Sequence, residues 1–358
     1  MPHLFIAVTA HGYGHVAQVA PVVAEMVQQL PNLRVTVQGT VDTAYVASRL
    51  PAGFRHVKAA ADVALPMDGP LQVGWDEGLE RYTRFEAEYG RHMAAQLARF
   101  EQDPPDLVLA DIPWLPLDAA RRLGIPAVGL CSLSWYDILL GSPVAARVPA
   151  AVAERLRGVY ARGDLFLRPA PSMPMAWLPN GRDIGPLAVQ RRRDPDGLRQ
   201  RLGIPPDRRL VLVQFGGAGR LPLGGGGMDG VCFLTPDAAA AEGRDDVVLI
   251  GTGDRPGVPD VLPCCDALIT KPGYGTFAEA ACNGIPVLYV PRGDWPEEPH
   301  LVEWLARQVP VQAMAADDLA AGRVEAPLQA LFSAGITTPV AATGAAEATL
   351  LLRGLMSR

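Results

Sequence analysis

At 358 residues, 49% of them hydrophobic and 20% charged, the chain has the composition of a globular protein and exceeds the usual size of one domain. Its formal net charge of −6 argues against a nucleic-acid partner, which would demand a basic face. Five cysteines (Cys131, Cys232, Cys264, Cys265, Cys282) show no C-x-x-C spacing, so neither a disulfide framework nor a zinc site is expected, and reduced thiols point to the cytoplasm.

The opening MPHLFIAVTA lacks a basic n-region and runs directly into a strand over His3–Thr9, so no signal peptide is expected. Pro21 is best tolerated in the first turn of a helix, which places a helix start near Val19 and leaves His11 to Gln18 as a loop. Val19, Ala20, Val23, Met26, Val27 and Leu30 then recur at helical spacing. Further strands are expected over Val35–Gln38, Leu107–Ala110 and Ala127–Leu130, with one long charged helix over Glu77–Gln102. Pro169–Asp196, rich in proline, glycine and arginine, reads as a linker. Beyond it come strands over Leu210–Phe215, Val247–Gly251, Ala267–Thr270 and Pro286–Val290, an irregular glycine-rich loop over Gly216–Gly230, and a terminal helix over Gly344–Arg358. Strands alternating with helices predict an α/β protein with parallel sheets in two halves facing a cleft. The expected boundaries are 1–185, 186–340 and a final helix over 341–358. No apolar run reaches the length of a membrane span.

Two short segments carry chemistry. In LITKPGYGTFAEAACNGIPVLYVPR, Leu268 to Arg292, a strand leads through a glycine turn into a helix. Lys271, Gly273, Gly275 and Thr276 fall on that turn, where helix N-terminal amides favour an anion by roughly 0.3–2 kcal/mol. Glu279 sits one turn in, within reach of a hydroxyl beside a phosphate. Thr276 with Glu279 also fits the capping box, which needs no ligand. Tyr274 either stacks near a nucleotide or packs inside. In AHGYGHVAQVAP, residues 10 to 21, Gly12, Gly14 and Ala17 fit a loose dinucleotide fingerprint. Two histidines in such a turn are odd, however, and Gln38 and Gly39 stand where an acidic residue should end the second strand. His11 and His15 are candidate general bases, since imidazole titrates near neutrality. Asp111, at the carboxyl end of a strand, either orients an imidazole or caps a turn before Pro113.

The Leu268–Arg292 segment resembles the donor-binding motif of GT-B glycosyltransferases, the superfamily of the lipid II-forming N-acetylglucosamine transferase and the UDP-glucuronosyltransferases. The H-G-Y-G-H run most closely resembles the glycosyltransferase-like N-terminal domain of L-arabinokinases. That match continues through LVLADIPWLPLDAARRLGIPAVGLCSLSW, the F-G-G turn within Gln214–Gly217, and DWPEEPH at Asp294–His300. The resemblance implies a GT-B fold of two Rossmann-like doubly wound domains, the first on the acceptor side and the second on the donor side. It implies a donor site built from Gly216, Gly217, Lys271, Gly273, Tyr274, Gly275, Thr276 and Glu279, with Glu297 and Glu298 holding hydroxyls of sugar or ribose. His11 or His15 would serve as base, with Gly12 and Gly14 on the acceptor-side loop. Metal-independent, inverting transfer from a UDP-sugar to a small-molecule or lipid-linked acceptor follows, with the nucleotide-sugar as substrate and no cofactor. Trp114, Trp135 and Tyr136 are candidates for an acceptor wall or for core. Other readings are a binding module that has lost transfer, a sugar-nucleotide epimerase or hydrolase of the same fold, and a nicotinamide oxidoreductase.

Overall fold

The computed structural model describes residues 1–9, 11–216, 223–224 and 227–357. In the first half the strands are β1 (His3–Val8), β2 (Arg34–Gln38), β3 (Arg55–Val57), the hairpin strands β4 (Met67–Asp68) and β5 (Gln72–Val73), β6 (Leu107–Asp111), β7 (Ala127–Leu130), β8 (Leu165–Pro169) and β9 (Gly181–Ile184). Seven of them form one sheet in the order β3-β2-β1-β6-β7-β8-β9, parallel throughout. The second half contributes β10 (Arg209–Gln214), β11 (Val231–Thr235), β12 (Val247–Leu249), β13 (Ala267–Thr270), β14 (Val287–Tyr289) and β15 (Val311–Ala313). Their order is β12-β11-β10-β13-β14-β15, again all parallel.

Helices cover both faces, so the central strands are buried along their whole length and carry continuous apolar runs such as LFIAV and LVLA. In each half the first strand lies in the middle of its sheet, and the order reverses beside it, between β1 and β6 and between β10 and β13. Such switch points open a crevice at the carboxyl ends of the strands, where ligands bind in this architecture. The registers Val8–Asp111 and Gln214–Thr270 mark those ends.

Several expectations change. The first helix runs Tyr13–Gln29 and holds Pro21 inside it, so His15 lies on a helix rather than in a loop. Glu77–Gln102 is two helices, Trp75–Ala87 and Tyr89–Gln102, which meet at Glu88. The expected linker contains β9, whose polar GRDI sequence forms the sheet edge. The Gly344–Met356 helix buries Ala348, Thr349 and Leu352 and returns to the first half, where Arg353 donates to Gln29 Oε1 at 2.6 Å. The two chain crossings touch: Gly344 N–H donates to the Pro186 carbonyl at 3.2 Å and Gly185 N–H to Glu347 Oε2 at 3.2 Å. A Cβ on Gly344 would stand 2.1 Å from the Gly185 carbonyl oxygen, so only glycine permits that approach.

Candidate functional site

The helix Tyr13–Gln29 begins at Gly12, which offers no side-chain cap, directly above the end of β6. This puts His15 in the first turn, with its Nδ1 2.8 Å from Asp111 Oδ1. Asp111 is fully buried. Gln18, one turn along the same face, donates to Asp111 Oδ2 at 2.8 Å when its amide nitrogen is turned to the carboxylate. Burial works against charging His15, but the Asp111 carboxylate outweighs it and the imidazole pKa is raised. Burial also raises the Asp111 pKa, against the pull of His15. With Nδ1–H given to Asp111, Nε2 keeps its lone pair.

The Cys131 thiol lies 3.9 Å from His15 Nδ1 and is held neutral by burial beside Asp111. His15, Asp111 and Cys131 offer ligand-type atoms within 4.8 Å of one another. A 2.8 Å contact is a hydrogen bond between base and carboxylate, an arrangement suited to a proton acceptor.

Across the cleft, β13 ends at Thr270 and the next helix, Tyr274–Asn283, starts after Gly273, with no side-chain cap. Thr276 lies inside that helix, so the capping box does not form, and the amides of Tyr274, Gly275 and Thr276 are left without an internal acceptor. Among the described residues, nothing lies within 4 Å of a Cβ placed on Gly273 or Gly275, which leaves space above the amides. Lys271 Nζ donates to the Pro70 carbonyl of the first half at 3.0 Å, and burial beside Arg292 lowers its pKa to about 8. Gly216 adopts φ +74° on the same side, with Lys271 Cε 3.8 Å from its would-be Cβ. Gly217 lies outside the described residues. Burial raises Glu279 to about 7, with Arg49 of the first half as its opposing charge.

Together these groups line a cavity of about 710 Å³ between the halves, shared by His11, Gly12, Gly14 and His15 with Gly216, Lys271, Thr276 and Glu279. That volume suits a small-molecule ligand. His11 stacks on Trp295 at 5.2 Å, takes its Nδ1 to within 3.3 Å of the Leu65 carbonyl, and is held well below the usual imidazole range by burial and by His15, Arg292 and Lys271.

Three residues expected at the donor are engaged within the protein, and two of them, Tyr274 and Glu297, also line the cavity. Tyr274 is buried, its hydroxyl accepting from Leu187 N–H at 2.9 Å and facing the Ala170 carbonyl at 3.4 Å; it is a strut between segments. Glu298 points away from the cleft and accepts from Arg292 N–H at 2.8 Å. Glu297 lines the cavity, but its oxygens are taken by Ser132 Oγ at 2.6 Å and Trp295 Nε1 at 3.0 Å. Trp114 and Trp135 are core, and Trp135 Nε1 donates to buried Asp62 at 3.0 Å. Residues not foreseen include Gln18 and Cys131 beside the His15–Asp111 pair, and Arg49, Arg292, Trp295, Phe233 and Thr235 in the cavity lining. Gln18 was open to detection, since it falls three residues after His15 on one helical face.

Two Rossmann-like sheets with their switch points facing one cleft define the GT-B fold, and this chain has it. No protein-family model matches the chain. It is 24% identical over 312 residues to the L-arabinokinase of Arabidopsis thaliana, covering 84% of this chain and 29% of that protein. It is 27% identical over 189 residues to the UDP-N-acetylglucosamine–N-acetylmuramyl-(pentapeptide) pyrophosphoryl-undecaprenol N-acetylglucosamine transferase of Paenarthrobacter aurescens, covering 48% of this chain and 47% of that one. The matches thus span less than two thirds of either relative. Among solved structures, the glycotransferase of kitacinnamycin superposes with a TM-score of 0.59 at 17% identity, over 99% of this chain and 95% of that one. The S. aureus MnaA–UDP structure does so with a TM-score of 0.56 at 14% identity, over 100% and 97%. At these identities the structural likeness shows the fold. Among the described residues no helix is long and apolar enough to cross a membrane.

Proposed function

We propose that the chain is a cytoplasmic glycosyltransferase that moves a sugar from a nucleoside diphosphate sugar, with uridine as the favoured base, to an acceptor hydroxyl or amine. The observation that carries this reading is the pair His15–Asp111, at 2.8 Å, sharing one cavity with the uncapped helix turn at Lys271–Thr276. The diphosphate seats on the amides of Tyr274, Gly275 and Thr276 beside Lys271, and Glu279 takes the ribose hydroxyls. His15 Nε2 accepts the acceptor proton as the acceptor oxygen bonds to the anomeric carbon from the opposite side. The bond from that carbon to the diphosphate oxygen breaks, and its electron pair leaves on the diphosphate. Lys271 and the helix amides neutralise that growing charge, Asp111 stabilises the imidazolium, and the anomeric configuration inverts. The acceptor, a small molecule or a lipid-linked sugar, would lie against Met67, Ser132 and Leu133 of the first half. The UDP in one structural neighbour and the UDP-sugar in the name of one relative support uridine.

Calorimetric titration with UDP, TDP, GDP and ADP, repeated on Lys271→Ala and Glu279→Ala, tests the donor site. Saturable binding of one of them, weakened by both substitutions, is expected. Binding of none, or binding indifferent to both residues, sinks the reading. NMR of the products then separates transfer from hydrolysis or epimerisation, and a bound nucleotide without turnover would leave a binding module.

A further inference from the structure

Arg292 was not foreseen, and the reaction just proposed does not use it. It lines the cavity, and its guanidinium lies 4.1 Å over the ring of Trp295, the same ring on which His11 stacks at 5.2 Å. The cation therefore stands beside His11, just ahead of the helix that carries His15, close enough for its charge to lower the pKa of both His11 and Lys271. Among the described residues it forms no salt bridge. Its Nε is buried with no hydrogen-bond partner, and its Nη2 meets only the Met67 thioether at 4.0 Å.

The nearby carboxylates Glu297, Glu298 and Asp294 offset the charge of Arg292 without a hydrogen bond to its guanidinium among the described residues. Asp294 accepts from Trp75 Nε1, Glu297 accepts from Ser132 and Trp295, and Glu298 accepts from the Arg292 main chain. A half-buried guanidinium whose Nε has no acceptor is costly, and its flat fork matches a carboxylate in two parallel hydrogen bonds. Packing on Trp295 already holds that fork in one plane. The diphosphate has its own cradle in Lys271 and the helix amides, so the guanidinium fork of Arg292 is left to hydrogen-bond another acceptor in the cavity.

We infer that the enzyme acts on an acidic sugar, and that Arg292 reads its carboxylate next to the reacting centre. This deepens the proposed function and rests on its placement of the donor. The carboxylate belongs either to the transferred sugar or to the acceptor, and the two sources give different results.

Calorimetry on the full chain compares UDP, UDP-glucose and UDP-glucuronate, then glucose and glucuronate added to protein loaded with whichever nucleoside diphosphate binds. Wild type, Arg292→Gln and Arg292→Lys are measured, with thermal unfolding checking that each variant folds. A charge-assisted pair predicts roughly ten- to hundredfold tighter binding of the acid than of its neutral counterpart. Preference for UDP-glucuronate assigns the carboxylate to the donor; preference for free glucuronate assigns it to the acceptor. Arg292→Gln should abolish the preference and Arg292→Lys restore it in part, while both leave UDP affinity within about twofold. No preference in either arm overturns the inference, and so does Arg292→Gln weakening UDP as strongly as Lys271→Ala, which would make Arg292 a phosphate contact. If no nucleoside diphosphate binds, the transferase reading falls, while glucuronate titrated into the free protein still reads Arg292.

Discussion

Trp75 in the first half donates its indole N–H to Asp294 Oδ2 in the second at 2.5 Å, and its ring stacks with Trp295 at 6.1 Å. With Ser132–Glu297, this contact draws the segment after β14 across the cleft onto the first half, and Lys271–Pro70 does the same for the turn after β13. Asp294 Oδ1 has no hydrogen-bond partner among the described residues. Trp75→Phe would leave the whole carboxylate unpaired, so a loss of about 1–3 kcal/mol in urea unfolding is expected. A stability equal to wild type would show that the contact does not hold the halves together.

Asp111→Asn tests the base. Asp111 raises the His15 pKa, and a base must be deprotonated to act, so activity falls as pH drops through that raised value. Removing the carboxylate lowers the pKa and should move the acid limb of the pH–rate profile to lower pH. At the plateau kcat should fall about 10²- to 10⁴-fold. A smaller kcat with an unmoved acid limb would assign the base elsewhere.

Glu279 titrates at about 7 because it is buried. A ribose hydroxyl is held by the ionised form, so nucleoside diphosphate affinity should rise with pH through that value. Glu279→Gln should weaken binding by roughly tenfold at pH 8 and flatten this part of the pH dependence. Parallel pH curves for the two proteins would remove Glu279 from the site.

Asp62 shows the opposite linkage to a salt-bridged acid. Burial raises it from 3.8 to about 6, although Thr9 and Trp135 donate to it. The folded state holds its proton more tightly than the unfolded chain does. Stability is therefore lost as pH climbs from about 4 to 6, by up to about 3 kcal/mol. Asp62→Asn should remove that decline, which urea unfolding at pH 4.5 and pH 7 would read as a smaller difference than in wild type.

The sheets were legible because buried parallel strands are continuous apolar runs, and β6, β7 and β13 fall where such runs lie. β9 was not, because GRDI is an edge strand that exposes half its residues and carries little apolar signal. The first helix was started too late because Pro21 was given a terminal role, whereas the helix carries it in its ninth position. His15, Asp111, Lys271 and Glu279 stood out by residue type and local spacing, and the fold gathers His15, Lys271 and Glu279 at one cavity with Asp111 behind His15. The roles of Glu297 and Tyr274 could not be read in this way, since their partners Ser132 and Leu187 are 165 and 87 residues away. Arg292 closed the glycine-turn segment, but only the folded structure shows that its Nε has no hydrogen-bond partner.

The contact between Gly185 and Gly344 bears on how such a cleft can open. The chain passes between the halves twice, and both passages run through one spot, pinned by Gly344 to Pro186 and Gly185 to Glu347. Two straps fastened side by side act as a single pivot. Swinging the halves apart about that pivot needs only small torsions nearby, whereas sliding one half along the other would shear both straps and drag the terminal helix off its bed. The clasps at Trp75, Ser132 and Lys271 lie along the mouth that such a swing would part, so they set how far the jaws gape without moving the pivot.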